Sequence, residues 1–127
     1  MASISVPEKT VVLYLRMSDA DQTTSIPAQR AELLKHARTR NYRVLREYLD
    51  EAISGDATER RTGFLKMRED AASGEFGIVL AWDQDRFGRF DPLDAGYWIY
   101  PFRRAGVRLE TIAQGQIDWE DLTGQLV

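Results

Sequence analysis

Two short stretches of this chain place a hydroxyl and several guanidinium groups where a phosphodiester could be attacked. Ser18 follows Arg16 by two residues, just past the apolar run Thr10 to Leu15. Side chains alternate in an extended segment, so Arg16 and Ser18 point to the same side. Asp85, Arg86 and Arg89 follow a second apolar run, Phe76 to Trp82, and a helical turn there brings residues 85 and 89 together as an i, i+4 pair. An alcohol attacking a phosphodiester needs a positioned oxygen, neutralised non-bridging oxygens and a proton for the departing alkoxide. Arginine suits the neutralising task, because its fork of donors matches phosphate bidentately and stays cationic. Arg16, Arg61, Arg86 and Arg89 together make a metal substitute. Taken singly, each piece has a plainer reading: Ser18 as a turn or helix-cap hydroxyl, and Asp85 with Arg89 as a surface ion pair worth ~0.3 kcal/mol.

The elements that must hold these residues follow from periodicity. Thr10 to Leu15 is an almost unbroken apolar and β-branched run, the pattern of a strand covered on both faces. Ser25 caps a helix with Pro27 in its first turn and Ile26, Leu33, Leu34 and Ala37 on one face. Tyr42 to Leu49 reads as a second strand, and the polar stretch Asp50 to Arg61, without periodicity, as a mobile loop that leaves Arg61 ordered only on phosphate. Phe64, Met67 and Ala71 recur at helical spacing before Ser73-Gly74, a stop signal. Phe76 to Trp82 is a central strand, and Ala95, Trp98, Ile99, Phe102 and Ala105 form a helical stripe opened by Asp91-Pro92 and ended by Gly106. Pro101 should kink that helix or end it early. Val107 to Ala113 is a fourth strand, and Asp118 to Val127 opens another helix. Strands alternating with helices predict an α/β domain with a mainly parallel sheet of about four to five strands, and ligands of such sheets bind at the carboxyl ends of the strands.

Composition narrows the class. With 127 residues, 43% of them hydrophobic, the chain supports one core, so residues 1–127 read as one domain. A net charge of −3 argues against this segment alone holding duplex DNA tightly. The absence of cysteine removes disulfides and thiolate metal sites, and a single histidine argues against a His-based metal cluster or a Ser-His-Asp triad. No cofactor and no metal are expected. No run of about 18 apolar residues occurs, so the expectation is a cytoplasmic protein without a membrane. His36, mid-helix among polar residues, reads as solvated, and Trp82, Trp98, Tyr97 and Phe102 fit core packing better than base stacking.

In order along the chain stand Tyr14-Leu15-Arg16-Met17-Ser18, Ser25-Ile26-Pro27-Ala28-Gln29, Asp50-Glu51-Ala52-Ile53-Ser54-Gly55, Arg61-Thr62-Gly63-Phe64 and Asp85-Arg86-Phe87-Gly88-Arg89. This ordered set resembles the catalytic domain of serine site-specific recombinases, from about Val11 to about Gln125. The Asp50 to Phe64 segment looks more like the large serine integrases and transposon recombinases than the small resolvases. The resemblance implies that Ser18 attacks DNA to give a 5′-phosphoserine linkage and a free 3′ hydroxyl, followed by strand exchange and religation in a tetramer, without a cofactor. It also implies that Arg16, Arg61, Arg86 and Arg89 serve the scissile phosphate, with Asp85 orienting them or shuttling a proton, and that Gln29, Tyr14 and Ser54 support the site. Arg61 fits the Arg-x-x-Phe pattern better than the adjacent Arg60, and Ser54-Gly55 reads equally well as a flexible turn. Phe87 departs from the usual leucine of the Asp-Arg-Leu-x-Arg pattern, and Pro101 interrupts a helix that is usually uninterrupted. The family continues through a long oligomerising helix into a DNA-binding domain, so the chain looks like a fragment that meets double-stranded DNA mainly through a missing part and forms dimers or tetramers when whole. The other class open to this fold is a non-catalytic phosphate-binding or regulatory module. A receiver-type phosphorelay domain fits less well, because Arg16-Met17-Ser18 occupies the place of its acidic cluster.

Overall fold

Thr10–Met17 forms the interior strand β1, buried from Thr10 to Arg16. Its β-branched and apolar residues meet protein on both faces, as its sequence predicts. The computed structural model describes residues 7–17, 24–51 and 57–122; Ser18, Ser54 and residues 123–127, for which the sequence predicts helix, lie outside them. After β1 come α1 (Ile26–Thr39), β2 (Arg43–Glu51), α2 (Thr62–Asp70), β3 (Ile78–Ala81), the single turn α3 (Gln84–Phe87), α4 (Ala95–Ala105), β4 (Arg108–Thr111), β5 (Gly115–Ile117) and α5 (Trp119–Leu122). The sheet order is β2-β1-β3-β4-β5. Strands β1 to β4 pair in parallel, and β5 returns antiparallel on β4. The order reverses between β1 and β3, the switch point at which doubly wound sheets leave a crevice at the strands' carboxyl ends.

Alternation along β1 divides the core. Val11, Leu13 and Leu15 pack with Ile26, Leu33 and Ala37 of α1 and with Leu80. Val12 and Tyr14 face Phe64 and Met67 of α2 and Ile99 and Phe102 of α4. Arg16 shares the Val12 and Tyr14 parity and so enters this second layer. Helix α1 starts as its cap predicts, with the Ser25 hydroxyl accepting from the Ala28 N–H at 3.2 Å. Phe87, the residue in place of leucine, has a physical use: its ring sits 5.4–6.4 Å from those of Tyr14, Phe64, Phe90, Phe102 and Trp119. Edge-on aromatic contacts of this kind add ~1 kcal/mol each beyond area burial.

Four expectations are corrected. The stretch from Asp50 to Arg61 is not all loop: Asp50 and Glu51 complete β2, a 3-10 turn covers Thr58–Arg60, and Arg61 at its end is fully buried. His36 is not merely solvated: its Nε2 lies at hydrogen-bond distance, 2.6 Å, from Oε2 of the buried Glu110, which also accepts from Tyr42. Tyr97 is exposed rather than core. Helix α4 does not end early at Pro101 but continues to Ala105.

The last correction has a local cause. Proline lacks the N–H that residue 101 would donate to the carbonyl of Tyr97. Arg68 of α2 supplies donors instead, Nη2 to the Tyr97 carbonyl at 2.7 Å and Nε to the Trp98 carbonyl at 2.9 Å. Its guanidinium also lies over the Tyr97 and Trp98 rings. A tertiary contact thus replaces the missing helical bond. Arg68→Met should cost ~1–3 kcal/mol in urea unfolding, and Pro101→Ala in that background should recover part of the loss by restoring the N–H. An equal loss in both backgrounds would show that Arg68 acts by packing alone.

Candidate active site

Three consecutive carbonyls of α3 meet buried arginines. A single helical turn has no following turn to supply donors, so its last carbonyls need outside partners. Arg16, from the end of β1, donates Nε to the Arg86 carbonyl at 3.0 Å and Nη2 to the Asp85 carbonyl at 2.6 Å. Arg61 donates through Nη2 to the Phe87 carbonyl. Guanidinium groups at a helix C-terminus also complement its partial negative charge. Both arginines are about fully buried, at 1% and 0% exposure. At the other end, Asp83 caps α3 by accepting from the Arg86 N–H at 2.8 Å.

Arg61 is held in turn by Tyr14 and Asp50. Its Nε and Nη2 donate to the Tyr14 hydroxyl at 3.0 and 2.9 Å, and that hydroxyl donates to Asp50 Oδ2 at 2.7 Å. Asp50 also accepts from the N–H groups of Gly63 and Phe64, each at 2.8 Å. These are among the orphan donors at the start of α2, whose N-cap residue, Arg61, makes no side-chain cap bond. Asp50 therefore caps α2 from a neighbouring strand, with its negative charge at the helix's positive end. Two glycines make room. A side chain at Gly63 would collide with the Leu49 carbonyl, and one at Gly88 with the Arg61 guanidinium. Gly88 also has φ +148°, which L residues rarely adopt.

The remaining charges lie on α3 and just beyond it. Asp85 reaches Arg89 at 2.9 Å, Arg16 at 3.5 Å and Arg86 at 3.8 Å. Arg86 is buried and Arg89 exposed. The i, i+4 pair of Asp85 and Arg89 forms as its spacing predicts, but within a cluster of cations. Four guanidinium groups gather around the Asp50 and Asp85 carboxylates, and burial, then the Arg61 charge, hold the Arg16 guanidinium below its usual value. Such a surplus of partly dehydrated positive charge is costly alone and favours an anion. An open groove of about 500 Å³ runs beside α3, lined by residues that include Asp85, Gly88, Arg89 and Gln114. Among the described residues of its wall, Arg89 is present and Arg16, Arg61 and Arg86 are not.

The structure thus brings together Tyr14, Arg16, Arg61, Asp85, Arg86 and Arg89, and it divides the arginines: Arg16 and Arg61 are engaged by protein oxygens, whereas Arg89 is open to solvent. It places Arg61 inward and Arg60 outward. Gln29 is buried and donates Nε2 to the carbonyls of Arg16 and Thr24, at 3.0 and 2.9 Å. Those carbonyls flank the segment that carries Ser18. Gln29 Oε1 has no hydrogen-bond partner among the described residues. Asp50, Gly63 and Gly88 were not singled out as site residues from sequence. Their signals were an acid at the end of a predicted strand and glycines inside two motifs.

The domain is of the α/β class with a cationic site at the carboxyl ends of its parallel strands. The family model Resolvase, N terminal domain, matches residues 11–127. The N-terminal catalytic domain of TP901-1 integrase superposes with a TM-score of 0.73 at 25% identity, over 84% of this chain and 79% of that one. The C-terminal catalytic domain of ISC1926 TnpA, an IS607-like serine recombinase, does so at 0.69 and 30% identity, over 81% and 69%. A Bacillus subtilis (strain 168) protein named "Putative DNA recombinase" is 33% identical over 82 residues, 62% of this chain. The chain spans 16% of that curated relative's length in this match. This chain belongs to the serine recombinase family, through its resolvase N-terminal domain.

Two measurements probe the buried network. Gly88→Ala should cost ~2 kcal/mol or more in urea unfolding, through an unfavourable φ and displacement of Arg61; a neutral effect would mean that Arg61 does not need that space. Burial pushes the Tyr14 phenol well above its ordinary value of 10.0, with the Arg61 charge opposing and Asp50 adding to the rise. The folded state therefore favours neutral Tyr14, a contribution present in full below about pH 10 and lost as pH rises through the folded value. Unfolding midpoints should fall from about pH 10 upward, with Tyr14→Phe flattening that decline. An unchanged slope would assign the alkaline loss to other groups.

Proposed function

We propose that this domain cleaves DNA in site-specific recombination, with Ser18 as the nucleophile and a phosphoserine intermediate. The supporting observation is the gathering of Arg16, Arg61, Arg86 and Arg89 around Asp85 at the carboxyl ends of β1 and β3, with Ser18 two residues beyond Arg16. In this reading Ser18 Oγ attacks the phosphorus and loses its proton, the phosphorus–O3′ bond breaks, and the 3′ oxygen takes up a proton. The new phosphoserine ester keeps the bond energy, so a 3′ hydroxyl can reverse the step on a new partner strand without a high-energy cofactor.

The arginines divide the work by depth. Exposed Arg89 meets the non-bridging oxygens directly, buried Arg86 adds positive charge from α3, and Arg16 and Arg61 hold α3 in place and add fixed positive field from a dry site. Asp85 orients Arg89 and is the carboxylate available for proton transfer. Gln29 holds the two ends of the Ser18 segment, and Tyr14 positions Arg61. Ser54 is assigned a supporting role only by its motif. The net charge of −3 implies that most affinity for double-stranded DNA comes from protein beyond this domain, in a dimer or tetramer. No cofactor or metal enters this reaction.

The test uses the intact protein on a nicked substrate that traps cleavage before religation. Ser18→Ala should abolish the covalent adduct while sparing DNA binding, and Arg86→Ala should slow its formation by ~10²–10³. Chelators should leave the cleavage step unchanged. An adduct that persists in Ser18→Ala, or cleavage that depends on a divalent ion held by this domain, would overturn the mechanism in favour of a non-catalytic or metal-dependent one.

A further inference from the structure

The turn between β4 and β5 reaches under α3. Beyond the last β3–β4 pair its backbone goes on zipping onto the strand end, Ile112 N–H to the Ala81 carbonyl at 3.2 Å and Ala113 N–H to the Trp82 carbonyl at 3.1 Å. Gln114 then turns its side chain to the start of α3. Its Oε1 accepts from the Gln84 N–H, the first of the helix, at 3.1 Å and from the Thr111 hydroxyl at 2.7 Å. The Thr111 oxygen accepts in return from the Gln114 N–H at 2.8 Å. This reciprocal pair fixes the direction of the Gln114 carbonyl. Gln114 also lines the groove that holds Asp85 and Arg89.

We propose that Gln114 is a positioning residue for the cleavage reaction, fixing the N-terminal end of α3 as Arg16 and Arg61 fix its carbonyls; this rests on the function proposed above. A helix of one turn has almost no stability of its own, so the orientation of Asp85 and Arg86 depends on its end contacts. The Gln84–Gln114 bond lies in exposed surroundings. Water can therefore replace the lost acceptor with little change in global stability, but water does not fix an angle. Catalysis is sensitive where stability is not, because small misplacement of reacting groups costs rate steeply.

The experiment compares Gln114→Leu with Gln114→Glu, which keeps an acceptor oxygen, in the intact protein. Gln114→Leu should lower the cleavage rate constant at saturating DNA by ~10-fold or more, with DNA affinity and unfolding midpoint near wild type, and amide exchange over Gln84–Gly88 should quicken while β1 and β3 stay protected. Gln114→Glu should restore most of the rate. Unchanged exchange at α3, an unchanged rate in Gln114→Leu, a loss explained by DNA affinity, or failure of the Glu variant to rescue would each overturn the positioning role. If wild-type protein forms no Ser18 adduct while exchange still quickens in Gln114→Leu, the functional reading fails and the structural contact stands.

Discussion

A helix of four residues cannot satisfy its own carbonyls, and in this domain the outside donors are two buried guanidinium groups. Arg16 and Arg61 come from the end of β1 and the start of α2, and they bond the carbonyls of Asp85, Arg86 and Phe87. Burying a guanidinium without partners would cost several kcal/mol, and an orphan carbonyl would add to that. Each need is met by the other. The arrangement pins α3 to two separate parts of the fold, and α3 carries Asp85 and Arg86 into the site.

The same economy places Asp50 at the centre of a second knot. One carboxylate accepts from the Tyr14 hydroxyl and from two N–H groups of α2, so β1, β2 and α2 share one anchor. Removing it would leave the buried Tyr14 O–H without its acceptor and two helix donors without partners, beside a buried cation, a loss of ~3–5 kcal/mol by analogy with broken buried pairs. Gly63 and Gly88 belong to this knot because a methyl group at either place would push its neighbours apart.

The chain is acidic overall, with a net charge of −3, yet its site is locally cationic. Net charge governs long-range attraction to a polyanion, whereas catalysis depends on the few charges within reach of one phosphate. In the proposed reaction, this separation would let the domain stabilise transition-state charge while most affinity for duplex DNA comes from elsewhere.

Periodicity and caps made the alternating α/β order, the parallel sheet and the start of α1 at Ser25 legible from the chain alone, since apolar spacing and local hydrogen bonds act over a few residues. Motif order and residue chemistry pointed to Arg16, Arg61, Asp85, Arg86 and Arg89, which the structure brings together, and to Ser18, which lies outside the described residues. Only the tertiary structure decided that Arg16 and Arg61 turn to α3 carbonyls, that Asp50 caps a helix from another strand, that Arg68 carries α4 past Pro101, and that Glu110 draws in His36. Each of these joins groups 13 or more residues apart in a bond whose direction depends on how sheets and helices stack, and local sequence does not encode that geometry.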